Sequence, residues 1–200
     1  EELMKIKLLP VQHQQIEDIK ISNDRLVELT DLLTNVPEPG KEKYAYHREA
    51  VALGAFIRET VTPYLKWFSE KKVRIALQIA PNLPEVFFDQ AKMRLALRTL
   101  LDNALAYTAN GGAVIVAAKT TNRLAIIQVK DTGFGIAHQD QPQIFSKFFR
   151  STAAKRADTE GLGIGLFMAK TIVQRHGGKI QVFSEGEGKG SSFIISLPLK

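Results

Sequence analysis

The sequence predicts an α+β fold: a two-layer sandwich in which a mixed sheet is covered on one face by about three helices, preceded by a long separate helix. Three observations lead there. From residue 73 onward, runs with strand spacing are interspersed with amphipathic helical ones. Upstream, Ile19, Leu26 and Leu33 are spaced by sevens, which is the seam of a helix that packs on other helices. Between the two lies PEPG, Pro37 to Gly40, where two prolines and a glycine cannot continue a helix. The expected domains are therefore residues 1–40 and 41–200.

The first helix spans 11–36. Pro10 fits just before its start, and Ile16, Leu29 and Leu32 thicken its apolar stripe. Residues 48–70 read as a second helix with Val51, Ala55, Ile57, Val61, Leu65 and Phe68 apolar, kinked at Pro63. VRIALQI (73–79) alternates as a strand and is closed by PNLP. Asp89 then caps a long helix reaching Tyr107, with Met93, Leu97, Leu100, Leu101 and Ala104 on its inner face, stopped by NGG at 110–112. AVIVAAK (113–119) and RLAIIQVK (123–130) form a hairpin through Thr120, Thr121 and Asn122. Residues 137–160 hold no sustained period, and a connection that long inside a compact domain is usually functional or mobile. IGLFMAKTIVQRH (164–176) is helical and ends at Gly177 and Gly178; KIQVFSE and SSFIISLP then pair around EGEGKG.

Composition narrows the chemistry. With 44% hydrophobic and 24% charged residues, 200 residues make one core of moderate size plus an appendage. The chain has no cysteine and four scattered histidines, which rules out a disulfide framework and a thiolate metal site. No run approaches the roughly 20 apolar residues of a membrane span, and Glu1-Glu2-Leu3-Met4 does not start a signal peptide. A soluble, cytoplasmic protein portion is expected, its parent open to membrane anchoring. The net charge of +6 is spread along the chain, so no direct nucleic-acid partner is expected. The dense basic cluster is Lys147, Arg150, Lys155 and Arg156, whose bland reading is a solvated loop.

Three motifs carry chemistry. GLGIGL, Gly161 to Leu166, opens a helix, and free N–H groups at a helix start make an anion site. It is not a Rossmann fingerprint, because a long polar loop rather than a strand precedes it, and no GxxxxGK[ST] occurs anywhere. As punctuation alone the segment needs no ligand. In DTGFGI, Asp131 ends a strand, either as a turn former or as a carboxylate able to accept from an adenine amino group. In LLDNALAYT, Asn103 lies four residues before Tyr107 on one helix face. It is either a satisfied polar group at the edge of the core or an amide ligand to Mg²⁺, an ion that takes few protein ligands beside phosphates and water.

In the order LLDNALAYT, DTGFGI, IFSKFFR, GLGIGL, these motifs resemble the N, first glycine, F and second glycine boxes of the sensor histidine kinase ATP-binding domain, the Bergerat fold. GLFMAKTIVQRHGGKI and GKGSSFIISLP are similar to that family's last helix and final hairpin. The resemblance implies Asn103 as the Mg²⁺ ligand, Asp131 as the adenine acceptor, Gly133 and Gly135 as shapers of the base pocket, and residues 137–160 as an ATP lid. Gly161, Gly163 and Gly165 would hinge the lid and bring backbone amides to the phosphates. Tyr107, Ile136, Leu162 and Leu166 would complete the nucleotide contacts. Phe145, Phe148 and Phe149 would anchor the lid, and Lys147 and Arg150 would face the triphosphate, with Phe148 also at the nucleotide.

The cofactors so implied are ATP and Mg²⁺. NDRLVELTDLLTNV resembles the second helix of the family's dimerisation and phosphotransfer hairpin, implying a homodimer through the N-terminal helix and a response regulator partner. His13 and His47 lack the phosphoacceptor context, so no catalytic residue is expected here and the acceptor histidine is expected upstream of residue 1. Two positions depart from the pattern: Thr99 stands where such kinases carry Asn, and Ala106 where they carry Lys or Arg. Relatives that hydrolyse ATP place a Glu four residues before the metal Asn; Thr99 cannot act as that base. The rival readings are a serine kinase or ATPase of the same superfamily, and a non-catalytic nucleotide sensor or dimerisation module.

Overall fold

The computed structural model describes residues 46–121, 123–157 and 162–199, together with Gln12, Ile16, Ile19, Asn23 and Thr30, all five of which are helical. The chain divides into two compact units, Glu1–Tyr44 and Ala45–Lys200. His13, the remainder of the 11–36 helix, the Pro37–Gly40 break, Asn122 and Gly161 lie outside the described residues.

The second unit begins with a short strand, β1 (Glu49–Ala52), and two helices, α1 (Leu53–Val61) and α2 (Tyr64–Glu70). The single kinked helix expected over 48–70 is thus three elements. The strand β1 pairs with β3 (Glu85–Phe88), antiparallel, with Val51 opposite Val86. Pro63 lacks the N–H that would continue the ladder of α1, so the chain turns at Thr62 and Pro63 and restarts as α2. The α1 stripe is regular: Leu53, Phe56, Ile57, Thr60 and Val61 are all buried.

β2 (Arg74–Ile79) lies parallel to β4 (Ala113–Thr120); β5 (Leu124–Asp131) and β7 (Ser191–Pro198) follow antiparallel, and β6 (Lys179–Phe183) closes the edge, giving the order β2-β4-β5-β7-β6. The one parallel pair among the described strands needs a crossover, and α3 (Gln90–Tyr107) lies within it. Asp89 caps α3 by accepting the Lys92 N–H at 3.0 Å, and all five residues expected on the helix's inner face are buried. α5 (Gly165–Arg175) packs along α3, and α2, α3 and α5 touch the sheet. Val116, Ile127, Val129 and Ile195 meet this helical layer at 1% exposure or less. Full burial of such a side chain contributes on the order of 1.5–3 kcal/mol.

His176, the C-cap of α5, ties the layer together. It is 4% exposed; its Nδ1 pairs with the Ile172 carbonyl at 2.8 Å, so the proton sits there, and Nε2 accepts the Asp89 N–H at 2.9 Å. The end of α5 is thereby fastened to the start of α3.

Candidate nucleotide-binding site

The site is built where β5 runs out. Asp131, its last residue, is buried, and its Oδ1 accepts the N–H of Gly133 at 2.8 Å and of Ser191 at 3.2 Å. Its Oδ2 accepts the Ser191 hydroxyl in a short bond. A buried carboxylate is tolerable only when its lone pairs are met by donors. Here those donors come from the turn just beyond it and from the start of β7. In sequence Ser191 is only the first residue of the strand SSFIISLP, with no role assigned at the site; the signal is its place directly after a glycine-rich turn and opposite the end of β5.

Gly133 follows in a tight passage. A Cβ there would sit 2.3 Å from the Tyr107 carbonyl and 2.8 Å from Asp131 Oδ1, so only glycine brings this turn against the end of α3. The Tyr107 carbonyl also accepts the Phe134 N–H at 3.1 Å. Gly135 packs against the Gly186 carbonyl, and the Ile136 N–H donates to Ser184 Oγ at 2.9 Å. Tyr107, Asp131, Gly133, Gly135 and Ile136 are therefore gathered around the final hairpin turn.

The second cluster forms at the start of α5. Gly163 has φ +70° and passes so close to the preceding segment that a Cβ would lie 2.8 Å from the Phe149 carbonyl and 3.0 Å from Arg150 Cγ. Gly165 seats on Thr99, one turn before Asn103 on α3, at 3.0 Å from Cβ position to methyl. Thr99 is buried and spends its hydroxyl proton on the Leu95 carbonyl at 3.0 Å. Leu162 is 67% exposed and Leu166 half-buried.

Between the clusters, residues 137–157 carry turns and a six-residue helix, α4 (Thr152–Ala157), which the sequence pattern did not suggest. Phe145 meets Phe193 of β7 edge-on at 6.4 Å, an anchor of the expected kind. Phe148 is different: its φ of +63° turns it outward and leaves it 62% exposed. The Lys147 ammonium lies 4.9 Å from the Phe167 ring of α5, and Arg150 donates to the Ala154 carbonyl at 3.0 Å.

Asn103 is half-buried on α3 and Ala106 exposed. The cation nearest Ala106 in hydrogen-bond terms is Lys71, whose ammonium donates to the Leu105 and Ala106 carbonyls and so caps the end of α3. Burial lowers the Lys71 pKa from its ordinary value. Among the described residues no group of three or more His, Cys, Asp or Glu could hold a metal ion. The donor that Asn103 offers is a single amide oxygen, whose chemistry suits a hard cation such as Mg²⁺ that takes its other ligands from phosphates and water.

A five-stranded mixed sheet with helices on one face defines an α+β sandwich of the type found in histidine kinase catalytic domains. The mycobacterial sensor histidine kinase MprB superposes with a TM-score of 0.65 at 26% identity, over 75% of this chain and 97% of that one. Full-length ShkA in complex with AMPPNP gives 0.70 at 24% identity, over 97% of this chain and 40% of that one. Residues 88–200 match the family described as histidine kinase-, DNA gyrase B- and HSP90-like ATPase, and the chain belongs to it. The adaptive-response sensory kinase SasA of Synechococcus sp. (strain CC9311) is 32% identical over 96% of the chain. The chain spans about half the length of that relative, 52%.

Proposed function

We propose that this chain is the catalytic region of a histidine protein kinase in a two-component signalling system. It transfers the γ-phosphoryl of ATP to a histidine upstream of residue 1, for relay to an aspartate on a response regulator. The observation that carries the reading is the Asp131 carboxylate, buried at the end of β5 and fixed by Ser191 and Gly133. A carboxylate so fixed is oriented to accept from an adenine amino group. Asn103 offers its amide oxygen to Mg²⁺, and the open N–H groups at the start of α5 and the Gly163 turn receive phosphate oxygens. Lys147 and Arg150 of the lid, 137–160, are the cations that would neutralise the same charge once nucleotide is bound. Bound Mg²⁺ and ATP supply charge neutralisation and the transferable group.

Thr99 supports transfer rather than hydrolysis. Its hydroxyl is buried and committed to a backbone carbonyl, so it activates no water. Catalysis then consists of positioning and charge neutralisation. The unit Glu1–Tyr44, whose described residues Gln12, Ile16, Ile19, Asn23 and Thr30 are helical and whose Ile19 is 68% exposed, is the homodimerising element in this reading.

The test mixes the chain with γ-labelled ATP, Mg²⁺ and a fragment bearing the hairpin histidine. Acid-labile, base-stable label on the fragment is expected. Tight ATP binding without labelled fragment would leave the second reading, a nucleotide-sensing module, which the missing cation at Ala106 favours.

A further inference from the structure

The face of the sheet turned away from the helices has an unusual composition. Alternation and register place Arg74, Ala76 and Gln78 of β2, Ile115, Ala117 and Lys119 of β4, and Lys130, Gln128 and Ile126 of β5 on it. β7 adds Ser192, Ile194 and Ser196, and β6 adds Phe183, Gln181 and Lys179. Arg74, Lys119, Lys130 and Lys179 are all exposed, and none of these positions carries an Asp or Glu. Lys119 and Lys179 end one cross-strand row, Lys119-Ile126-Ser196-Lys179, and stand about 14 Å apart at the usual strand spacing. The half-buried Ile115, Ile126 and Ile194 occupy the middle.

From this we infer that the outward sheet face is a docking surface for an acidic amphipathic helix of a partner protein. Charge complementarity selects the sign. Residues 45–200 hold 21 Lys and Arg against 12 Asp and Glu, and this face concentrates the imbalance. Shape selects a helix. The long cationic side chains stand taller than the isoleucines, so a flat bilayer meets charge before apolar surface, whereas a convex helix reaches the centre while its flanking carboxylates meet the lysines. Single-stranded nucleic acid is disfavoured because its recognition uses stacking aromatics, and Phe183 at the edge is the lone aromatic among the positions named. The surface is separate from Asp131, whose side chain lies on the helix-covered side, so it stands or falls independently of the nucleotide reading.

The probe is a fluorescein-labelled peptide with Leu on one helical face and Glu on the other, titrated with the full 200-residue chain and read by anisotropy. Binding is expected to weaken at least about tenfold in Lys119→Glu/Lys179→Glu and to fall as salt rises. Ile126→Thr, which keeps the β-branch, is expected to weaken it too, and Lys66→Glu on the exposed side of α2 to leave it unchanged. Circular dichroism melts confirm that each variant is folded. No binding, an equal loss in Lys66→Glu, no loss in Ile126→Thr, or stronger binding to anionic phosphatidylglycerol vesicles or an oligonucleotide would each overturn the proposal.

Discussion

Asp131 and Ser191 are sixty positions apart and share three hydrogen bonds' worth of geometry with Gly133. A carboxylate that recognises a base must present one lone pair outward while the others are occupied, or it rotates out of register. Ser191 supplies that constraint through both its hydroxyl and its N–H. Replacing it with Ala leaves the N–H and removes the hydroxyl, so ATP affinity should fall about 5-fold, near 1 kcal/mol. Asp131→Asn, which puts an amide donor where an acceptor is required, should lose about 10- to 100-fold. Calorimetric titration of ATP against both variants, with circular dichroism to confirm folding, checks the order. Equal affinities would remove Asp131 from the site.

At the scale of elements, the start of α5 is held by two glycines for different reasons. Gly163→Ala faces a left-handed backbone, costing about 1–2 kcal/mol, and also strikes the Phe149 carbonyl. Gly165→Ala meets no left-handed backbone at the first residue of α5 but presses on the Thr99 methyl, whose rotamer is pinned by Leu95. Both substitutions should weaken ATP binding, and Thr99→Ser should restore Gly165→Ala while leaving Gly163→Ala unimproved. Thermal melts and ATP titrations of the two double variants decide it. The long helix α3, the β4–β5 hairpin and the last strand pair were legible in sequence because each carries a full period of burial. β1 and β3 were not: four residues hold only two alternations, and Val51 fits a helical stripe as well as a strand. Phe148 shows the same limit at the site, since no pattern in IFSKFFR announces a positive φ. Ser191 was hidden because its partner lies across the sheet.

For the molecule as a whole, stability should depend on pH through His176. Burial lowers its pKa below the ordinary 6.5, helped by the Arg48 charge, while the Ile172 bond and Asp89 act against the shift. The unfolded chain therefore takes up a proton at a higher pH than the folded one. Stability is full above about pH 6.5 and declines as the pH falls toward the folded pKa, where protonation would cost the Asp89 bond. His176→Gln, which can still accept the Asp89 N–H, should flatten the decline between about pH 7 and 5 in urea melts. A slope unchanged from the parent would assign the acid sensitivity elsewhere.

Sheet order also sets a schedule. β4 and β5 can pair as soon as they leave the ribosome, but β7 enters between β5 and β6 from sixty residues further along the sequence, bringing Ser191 with it. Such distant pairings form late because the intervening loop must close first. The partners of the Asp131 carboxylate are therefore complete only once β7 has been made. A nascent chain would carry both glycine motifs for some time before the Asp131 carboxylate had its Ser191 partners, so under the proposed function nucleotide engagement waits until the domain is almost whole.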